Sequence, residues 1–122
     1  MVRRLTAPEV RTLLPLPQAV FQILVALADQ DRHGYAIMQE VAERTAGALK
    51  LSPGTLYGSI KRMLEDGLIG EVDARPARSE DDERRRYYRI TPFGRDLARA
   101  EADRLTVLLR QARAVGLTPK RA

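Results

Sequence analysis

Two dipeptides, Ser52-Pro53 and Thr91-Pro92, fix where two helices of this chain begin. A serine or threonine hydroxyl at the N-cap accepts a hydrogen bond from an otherwise unpaired amide of the first turn, and proline at the first helical position loses only an amide that has no partner there. The first signal predicts a helix over Pro53–Asp66, and the second predicts a longer helix from Pro92 to about Val115. The stretch between them must adopt another structure.

Two short strands fit that stretch. Leu68–Val72 and Tyr87–Ile90 are rich in apolar and aromatic residues, and they are separated by Asp73–Arg86, a polar segment that cannot bury itself. Alternation along the second strand places Tyr88 and Ile90 on the core side. The pattern predicts an antiparallel hairpin with a long, exposed tip.

Before these elements the sequence predicts two more helices and a brief strand. From Pro17 onwards, Val20–Ala28 is apolar nearly all round a helix, which requires burial on several sides. A second helix fits Gly34–Thr45, and Leu49–Leu51 alternates apolar and charged residues as a short strand does. The resulting order of elements is that of a winged helix-turn-helix, a mainly α (α+β) fold with a two-stranded wing.

Length and composition limit the range of possible functions. A chain of 122 residues is expected to form one domain, and with no cysteine and one histidine it cannot build a Cys/His zinc site, a disulfide or a thiol nucleophile. The net charge of +5 favours a polyanionic partner. The longest apolar run, Ala19–Ala28, is about half a membrane span and no signal peptide precedes it. We therefore expect a cytoplasmic protein with no membrane contact and no cofactor.

The third helix separates an apolar face from a basic one. On a helical wheel Leu56, Ile60 and Met63 cluster on one side, and the other side combines small residues with two cations. Such a face can approach a polyanion closely, and the helix N-terminus favours phosphate. A solvated face without a ligand explains the same pattern equally well. The basic side consists of Gly54, Thr55, Gly58, Lys61 and Arg62.

Other polar positions allow more than one interpretation. Tyr57 lies between the two faces, so a phosphate or base contact and partial burial in the core account for it equally well. Tyr35 is expected to contact a phosphate, and the lone His33 is expected to have a structural or capping role. Arg84–Arg86 of the hairpin can grip phosphates or enter a minor groove, or they pair with the acidic run Glu80–Glu83, which opposes DNA binding.

Four motifs resemble those of one protein family. They are His33-Gly34-Tyr35, the residues from Leu51 to Tyr57 (LSPGTLY), from Leu64 to Ile69 (LEDGLI) and from Arg86 to Gly94 (RYYRITPFG), in this order. Over about Leu16–Ala98 the chain resembles the PadR family of bacterial transcriptional regulators. Two departures, a glycine at position 58 where many members have proline and a longer acidic hairpin tip, leave the operator sequence open.

The resemblance implies a homodimeric repressor that binds double-stranded DNA. It puts the third helix in the major groove of a palindromic operator and the wing, residues 73–89, on the adjacent backbone or minor groove. It further implies a small aromatic or drug-like effector at or near the dimer interface, as in many members, and association with the nucleoid when the protein is bound to DNA. The exposed helix face and the resemblance together give the expected DNA-binding residues, which are Tyr35, Lys50, Ser52, Pro53, Gly54, Thr55, Tyr57, Gly58, Lys61, Arg62, Arg84, Arg85 and Arg86.

The resemblance also implies that the last helix forms the dimer, as it does in other members of the family. The apolar residues of this helix suit that role, because they follow one another at steps of three and four, as in a coiled coil. The expected division of the chain is an N-terminal arm over 1–15, a DNA-binding domain over 16–91, a dimerisation helix over 92–116 and a basic tail over 117–122. The expected dimerisation residues are Leu97, Leu105, Leu108, Leu109, Ala112 and Val115.

Two other function classes compete with this interpretation. A winged helix can also serve as a protein-docking domain, in which case neutralising Lys61 or Arg85 would leave DNA affinity unchanged. An enzyme is not expected, because no carboxylate pair, no nucleophile with a base and no glycine-rich phosphate loop occurs in a recognisable arrangement.

Overall fold

The structure is a computed structural model, and it describes residues 13–72 and 86–118. The expectations for residues 1–12, for the acidic run Glu80–Glu83 with Arg84 and Arg85, and for residues 119–122 lie outside this range. Within it, no helix is long and apolar enough to cross a membrane. In chain order the elements are α1 Gln18–Leu27, β1 Arg32–His33, α2 Gly34–Arg44, α3 Pro53–Glu65, β2 Ile69–Val72, β3 Tyr87–Ile90 and α4 Pro92–Ala114.

Helix α1 lies at the centre of the domain. Ile23, Leu24 and Ala26 are fully shielded from solvent, and helices α2, α3 and α4 and strand β3 all contact α1. A helix that is apolar nearly all round is stable only when neighbours cover each of its sides. The prediction of a core helix at this place in the chain is confirmed.

The helix starts follow their capping signals. The Thr91 hydroxyl accepts a hydrogen bond from the Gly94 amide at 2.9 Å, and the Ser52 hydroxyl accepts one from the Thr55 amide at 3.1 Å. Each cap satisfies an amide that an α-helix leaves unpaired in its first turn. Both predicted helix starts are therefore confirmed.

The three strands form one antiparallel sheet in the order β1-β3-β2. Tyr88 of the central strand pairs with Arg32 on one side and with Glu71 on the other. Tyr88 and Ile90 are buried, which confirms the predicted core side of β3. The sheet thus joins the wing hairpin β2–β3 to the start of α2.

Leu49–Leu51 does not form a strand, so the prediction of a strand there is wrong. The third strand of the sheet is β1. After α2 the chain turns, and the Leu49 amide donates a hydrogen bond to the Thr45 hydroxyl at 3.0 Å. Leu51 is buried, and Leu49 packs against the core from its edge. The alternation of this segment therefore reflects two leucines anchored in the core around an exposed lysine, without pairing to another strand.

Gly94 allows α4 to pack closely on the chain that leads into β2. A Cβ atom placed on Gly94 would lie 2.1 Å from the carbonyl oxygen of Leu68. The same carbonyl accepts hydrogen bonds from the Thr91 amide at 3.1 Å and from the Thr91 hydroxyl at 3.0 Å. Only glycine permits this approach of a helix to a main-chain carbonyl.

Substituting Gly94 with alanine is expected to destabilise the fold strongly. The added methyl group would clash with a carbonyl that cannot move without displacing α4, and overpacking of this kind costs about 1–3 kcal/mol or more. Gly58→Ala is the matched control, since nothing lies within 4 Å of a Cβ atom there and alanine favours a helix by about 1 kcal/mol. Urea unfolding measures both changes. A Gly94→Ala protein as stable as the wild type would contradict the prediction.

Candidate nucleic-acid interface

The outward face of α3 is exposed and carries small residues and two cations. Gly54, Thr55, Gly58, Lys61 and Arg62 are all exposed, and a Cβ atom at either glycine would meet nothing within 4 Å. The opposite side of the helix packs into the core. A partner that presents a groove edge can therefore reach the helix main chain over its first two turns.

The N-terminus of α3 presents its cap to solvent. The Ser52 hydroxyl accepts a hydrogen bond from the Thr55 amide and donates one to the Thr55 hydroxyl oxygen, at 3.1 Å in both cases. Ser52 and Pro53 are exposed, and so is Lys50 just before them. First-turn amides and the helix dipole favour an anion at this end. These predicted residues thus share one surface that attracts anions, although part of the hydrogen-bonding capacity of Ser52 is used by the cap.

Tyr57 packs on the first residue of α2. A Cβ atom added to Gly34 would lie 2.5 Å from the Tyr57 hydroxyl oxygen and 2.9 Å from its Cζ. The ring is therefore covered by Gly34, yet 49% of Tyr57 remains exposed. Tyr57 belongs neither to the hydrophobic core nor to the side chains packed against it, so its contact with Gly34 lies outside the core. Sequence reasoning missed the role of Gly34, because a contact between residues so far apart in the chain leaves no periodic signal.

The residues on either side of Gly34 have different roles. Tyr35 is 61% exposed, so its hydroxyl is accessible. His33 is the N-cap of α2, where its Nδ1 accepts a hydrogen bond from the Ala36 amide at 3.2 Å. Its ring also meets the Tyr87 ring edge-on, with the centroids 5.5 Å apart. The predicted capping role of His33 is confirmed, and the same side chain ties α2 to the wing.

Two arginines of the wing are held by carboxylates. Nη1 of Arg86 lies 2.7 Å from Oε1 of Glu71, and Arg89 binds Asp31 through two hydrogen bonds of 3.1 and 2.8 Å. The hydrogen bond to a carboxylate raises the pKa of each guanidinium further above its ordinary value, so both stay charged. Of the three predicted wing arginines, Arg86 is the one among the described residues. Its partner Glu71 is a second residue that sequence reasoning missed.

The apolar face of α4 is buried up to Glu101 and exposed beyond it. Before it, Leu97 is only 2% exposed and packs in the core of its own chain, which corrects its assignment to the dimerisation face. Glu101 is buried as well, and its carboxylate accepts hydrogen bonds of 2.7 and 2.9 Å from Arg104. These bonds hold the pKa of Glu101 below its ordinary value. Beyond this pair an apolar stripe lies at the surface, and it consists of Leu105, Leu108, Leu109, Ala112 and Val115.

Comparison with known families covers these same elements. The Transcriptional regulator PadR-like family matches residues 23–100, which include α2, the exposed helix α3, the wing strands and the first turns of α4. This chain belongs to that family. The resemblance inferred from the four motifs is confirmed.

Individual relatives agree with the assignment. Transcriptional regulator Rv3488 of Mycobacterium tuberculosis is 38% identical over 73 residues, which are 60% of this chain and 62% of that protein. A PadR family transcription regulator from Clostridium difficile has a similar structure, with a TM-score of 0.70, 26% identity and coverage of 81% of this chain and 98% of that one. A transcriptional regulator from Clostridium thermocellum has a TM-score of 0.66 and 22% identity, and covers 94% of this chain and 100% of that one.

These comparisons show the family of the protein and its fold. The four helices and the small antiparallel sheet of the described residues confirm the predicted winged helix-turn-helix. The family and these structural neighbours are transcription regulators and not enzymes, as expected. This chain aligns with 64%, 21% and 62% of the lengths of three curated relatives, which are therefore longer than the part they share with it.

The contact between Gly34 and Tyr57 predicts that substitutions at the two positions are coupled. Gly34→Ala should displace the Tyr57 ring, so it should not stabilise the wild-type protein although alanine is the better helix former by up to about 1 kcal/mol. In a Tyr57→Ala background the three nearest contacts of that methyl group, all atoms of the Tyr57 ring and hydroxyl, are removed, so Gly34→Ala should be less destabilising there than in the wild type. Urea unfolding of the four proteins gives the coupling free energy. Additive effects would show that the two residues do not constrain each other.

Proposed function

We propose that this PadR-like regulator binds a palindromic operator in double-stranded DNA as a homodimer and represses transcription. In this proposal α3 of each protomer enters the major groove, and the wing lies on the adjacent backbone or minor groove. The observation that carries the proposal is the outward face of α3, where small residues and two cations are exposed together. Membership of a family of transcriptional regulators supports it.

The residues of that face differ in the contacts that they can make. Gly54 and Gly58 let the helix main chain approach base edges, and Thr55 offers a hydroxyl and a methyl group to them. Lys61 and Arg62 follow further along the helix and reach phosphates or the acceptor atoms of guanine. We therefore assign base recognition to the first two turns of α3 and a mixture of base and phosphate contacts to the two cations.

A second set of side chains suits phosphate binding. Tyr35 and Tyr57 are exposed on two adjacent helices, with the Tyr57 hydroxyl lying against Gly34, and Lys50 and Ser52 precede α3. Hydroxyls, lysines and helix N-termini are groups that commonly contact the DNA backbone. Their role in this proposal is to fix the position and angle of α3 in the groove, which carries no sequence information by itself.

The apolar stripe of α4 supports association with a second copy of the chain. Leu105, Leu108 and Leu109 are between 39 and 46% exposed, and a row of leucines on one helix face is better covered than left in water. Side chains spaced at three and four pack against an identical helix. A two-fold dimer built this way would offer two α3 helices to successive major grooves about 34 Å apart.

Release of DNA by a small aromatic or drug-like effector completes the proposal. Two apolar stripes that meet across a dimer interface would line a pocket suited to an aromatic molecule. Binding there could change the separation of the two α3 helices, which has to match the spacing of the half-sites. Bound to DNA, the protein would belong to the nucleoid.

Neutralising Lys61 is expected to weaken DNA binding and to reduce its salt dependence. Each phosphate contact contributes about 0.9 to the slope of log affinity against log salt concentration, so Lys61→Ala should lower the slope by up to that amount. Arg110→Ala is the matched control, because it removes the same charge from an exposed position in the distal half of α4. Fluorescence anisotropy of labelled duplexes at several salt concentrations measures both variants. Identical slopes for the two variants would contradict a role of Lys61 at the DNA.

The same titration tests sequence specificity. The promoter fragment of the protein's own gene should bind more tightly than a scrambled duplex of equal length, by a factor of about 10³ or more at physiological salt. Equal and weak binding of both duplexes would contradict an operator in that promoter. No binding of either duplex would favour the protein-docking alternative.

An aspartate in the apolar stripe is expected to break the dimer. Leu108→Asp would bury an unpaired carboxylate between the two α4 helices, which is strongly unfavourable. Val107→Asp is the matched control, since Val107 has a similar exposure, 49% against 46%, but lies on another side of α4. Light scattering after size-exclusion chromatography gives the mass of each protein. A monomeric wild type, or a dimer that survives Leu108→Asp, would refute this interface.

A further inference from the structure

One face of the wing sheet changes from apolar to charged towards the tip. Ile69 pairs with Ile90, and both are buried, whereas in the next pair on the same face Tyr88 is buried and Glu71 is exposed. Antiparallel partners project to the same side of a sheet, and side chains alternate along each strand. Glu71 therefore lies on the sheet face that turns towards the helices.

This face lies next to α3. Strand β2 contacts α3, and three influences raise the pKa of the Tyr88 hydroxyl, namely burial, the negative charge of Glu71 and the nearby Tyr57 of α3. Glu71 consequently brings a negative charge to the junction between α3 and the wing, where the proposed function puts DNA phosphates. A carboxylate at this place repels DNA unless a cation neutralises it.

Arg86 is that cation, and its ion pair with Glu71 is weak. Nη1 of Arg86 lies 2.7 Å from Oε1 of Glu71, but 65% of the arginine side chain and 43% of the glutamate side chain are exposed to solvent. Water and salt screen an ion pair that is so exposed. A phosphate can therefore reach the guanidinium from the solvent side and take the place of the carboxylate, because both anions offer oxygen acceptors to the same donors.

We propose that Glu71 is an autoinhibitory residue, which holds Arg86 in the free protein and has to release it before Arg86 can bind a DNA phosphate. This inference rests on the proposed function, because it concerns how tightly the same surface binds DNA. Breaking the ion pair offsets part of the gain from the phosphate contact, and the freed carboxylate then faces the DNA. Glu71 thus lowers the affinity of the wing for DNA of any sequence.

Removing the charge of Glu71 tests the inference. Glu71→Gln is expected to bind a short random-sequence duplex about two- to fivefold more tightly than the wild type, the range typical of exposed ion pairs. Glu43→Gln is the matched control, because it changes the net charge by the same amount at an exposed position near the C-terminal end of α2. Fluorescence anisotropy measures the affinities, and thermal unfolding followed by circular dichroism checks that each variant is folded.

Arg86→Ala in two backgrounds identifies the partner of Glu71. The substitution should weaken binding more in the Glu71→Gln protein, where Arg86 is already available, than in the wild type, where the ion pair offsets part of its contribution. Equal affinities of Glu71→Gln and Glu43→Gln, or weaker binding by Glu71→Gln than by the wild type, would overturn the inference and leave the proposed function intact. A wild-type protein that binds no duplex even at low salt would defeat the proposed function and this inference together.

Discussion

Helix α1 governs the arrangement of the domain because none of its sides can be left to water. Its ten residues are covered by three helices and a strand, so each partner must give one apolar face to α1. For α3 this leaves only the opposite face for function, and that face holds its two exposed glycines and its cations. The surface proposed to read DNA is thus oriented by the core, and the contact of Tyr57 with Gly34 links α3 to the start of α2.

The net charge of the chain says little about the surface proposed to bind DNA, since several arginines stabilise the fold. Nε of Arg32 donates a hydrogen bond to the Ala26 carbonyl at 2.7 Å, and Nη2 of Arg95 donates one to the Ala28 carbonyl at 3.0 Å. Both cap the C-terminal end of α1, where the helix leaves carbonyls unpaired and its dipole favours cations. A nucleic-acid interface is therefore indicated by the position of Lys61 and Arg62 on α3, and the overall charge of +5 adds little.

Local signals in the sequence predict most of this fold, and long-range contacts account for what they miss. The capped starts at Ser52 and Thr91 could be read directly, because a hydroxyl and a proline act within one turn. Strand β1 could not, since two residues without alternation become a strand only by pairing with β3. Leu97 lies on the same face of α4 as Leu105, so helical periodicity alone places it at the dimer face, whereas the structure shows that the core covers this face at Leu97. Buried Glu101 marks where this coverage ends.

The difference between local signals and long-range contacts also explains why the candidate site is only partly predictable from the sequence. Exposure of the face of α3 follows from helical periodicity, so its residues could be named in advance. Whether a cation near that face is available depends on its partner, and Arg86 meets Glu71 only because the hairpin register brings them together. A basic surface binds every DNA sequence through its phosphates, and a regulator must keep that general affinity low relative to affinity for its operator. In the proposed complex a carboxylate beside α3 would do this by opposing arrangements that lack well-formed contacts elsewhere, which is a physical reason for an acidic residue in the wing.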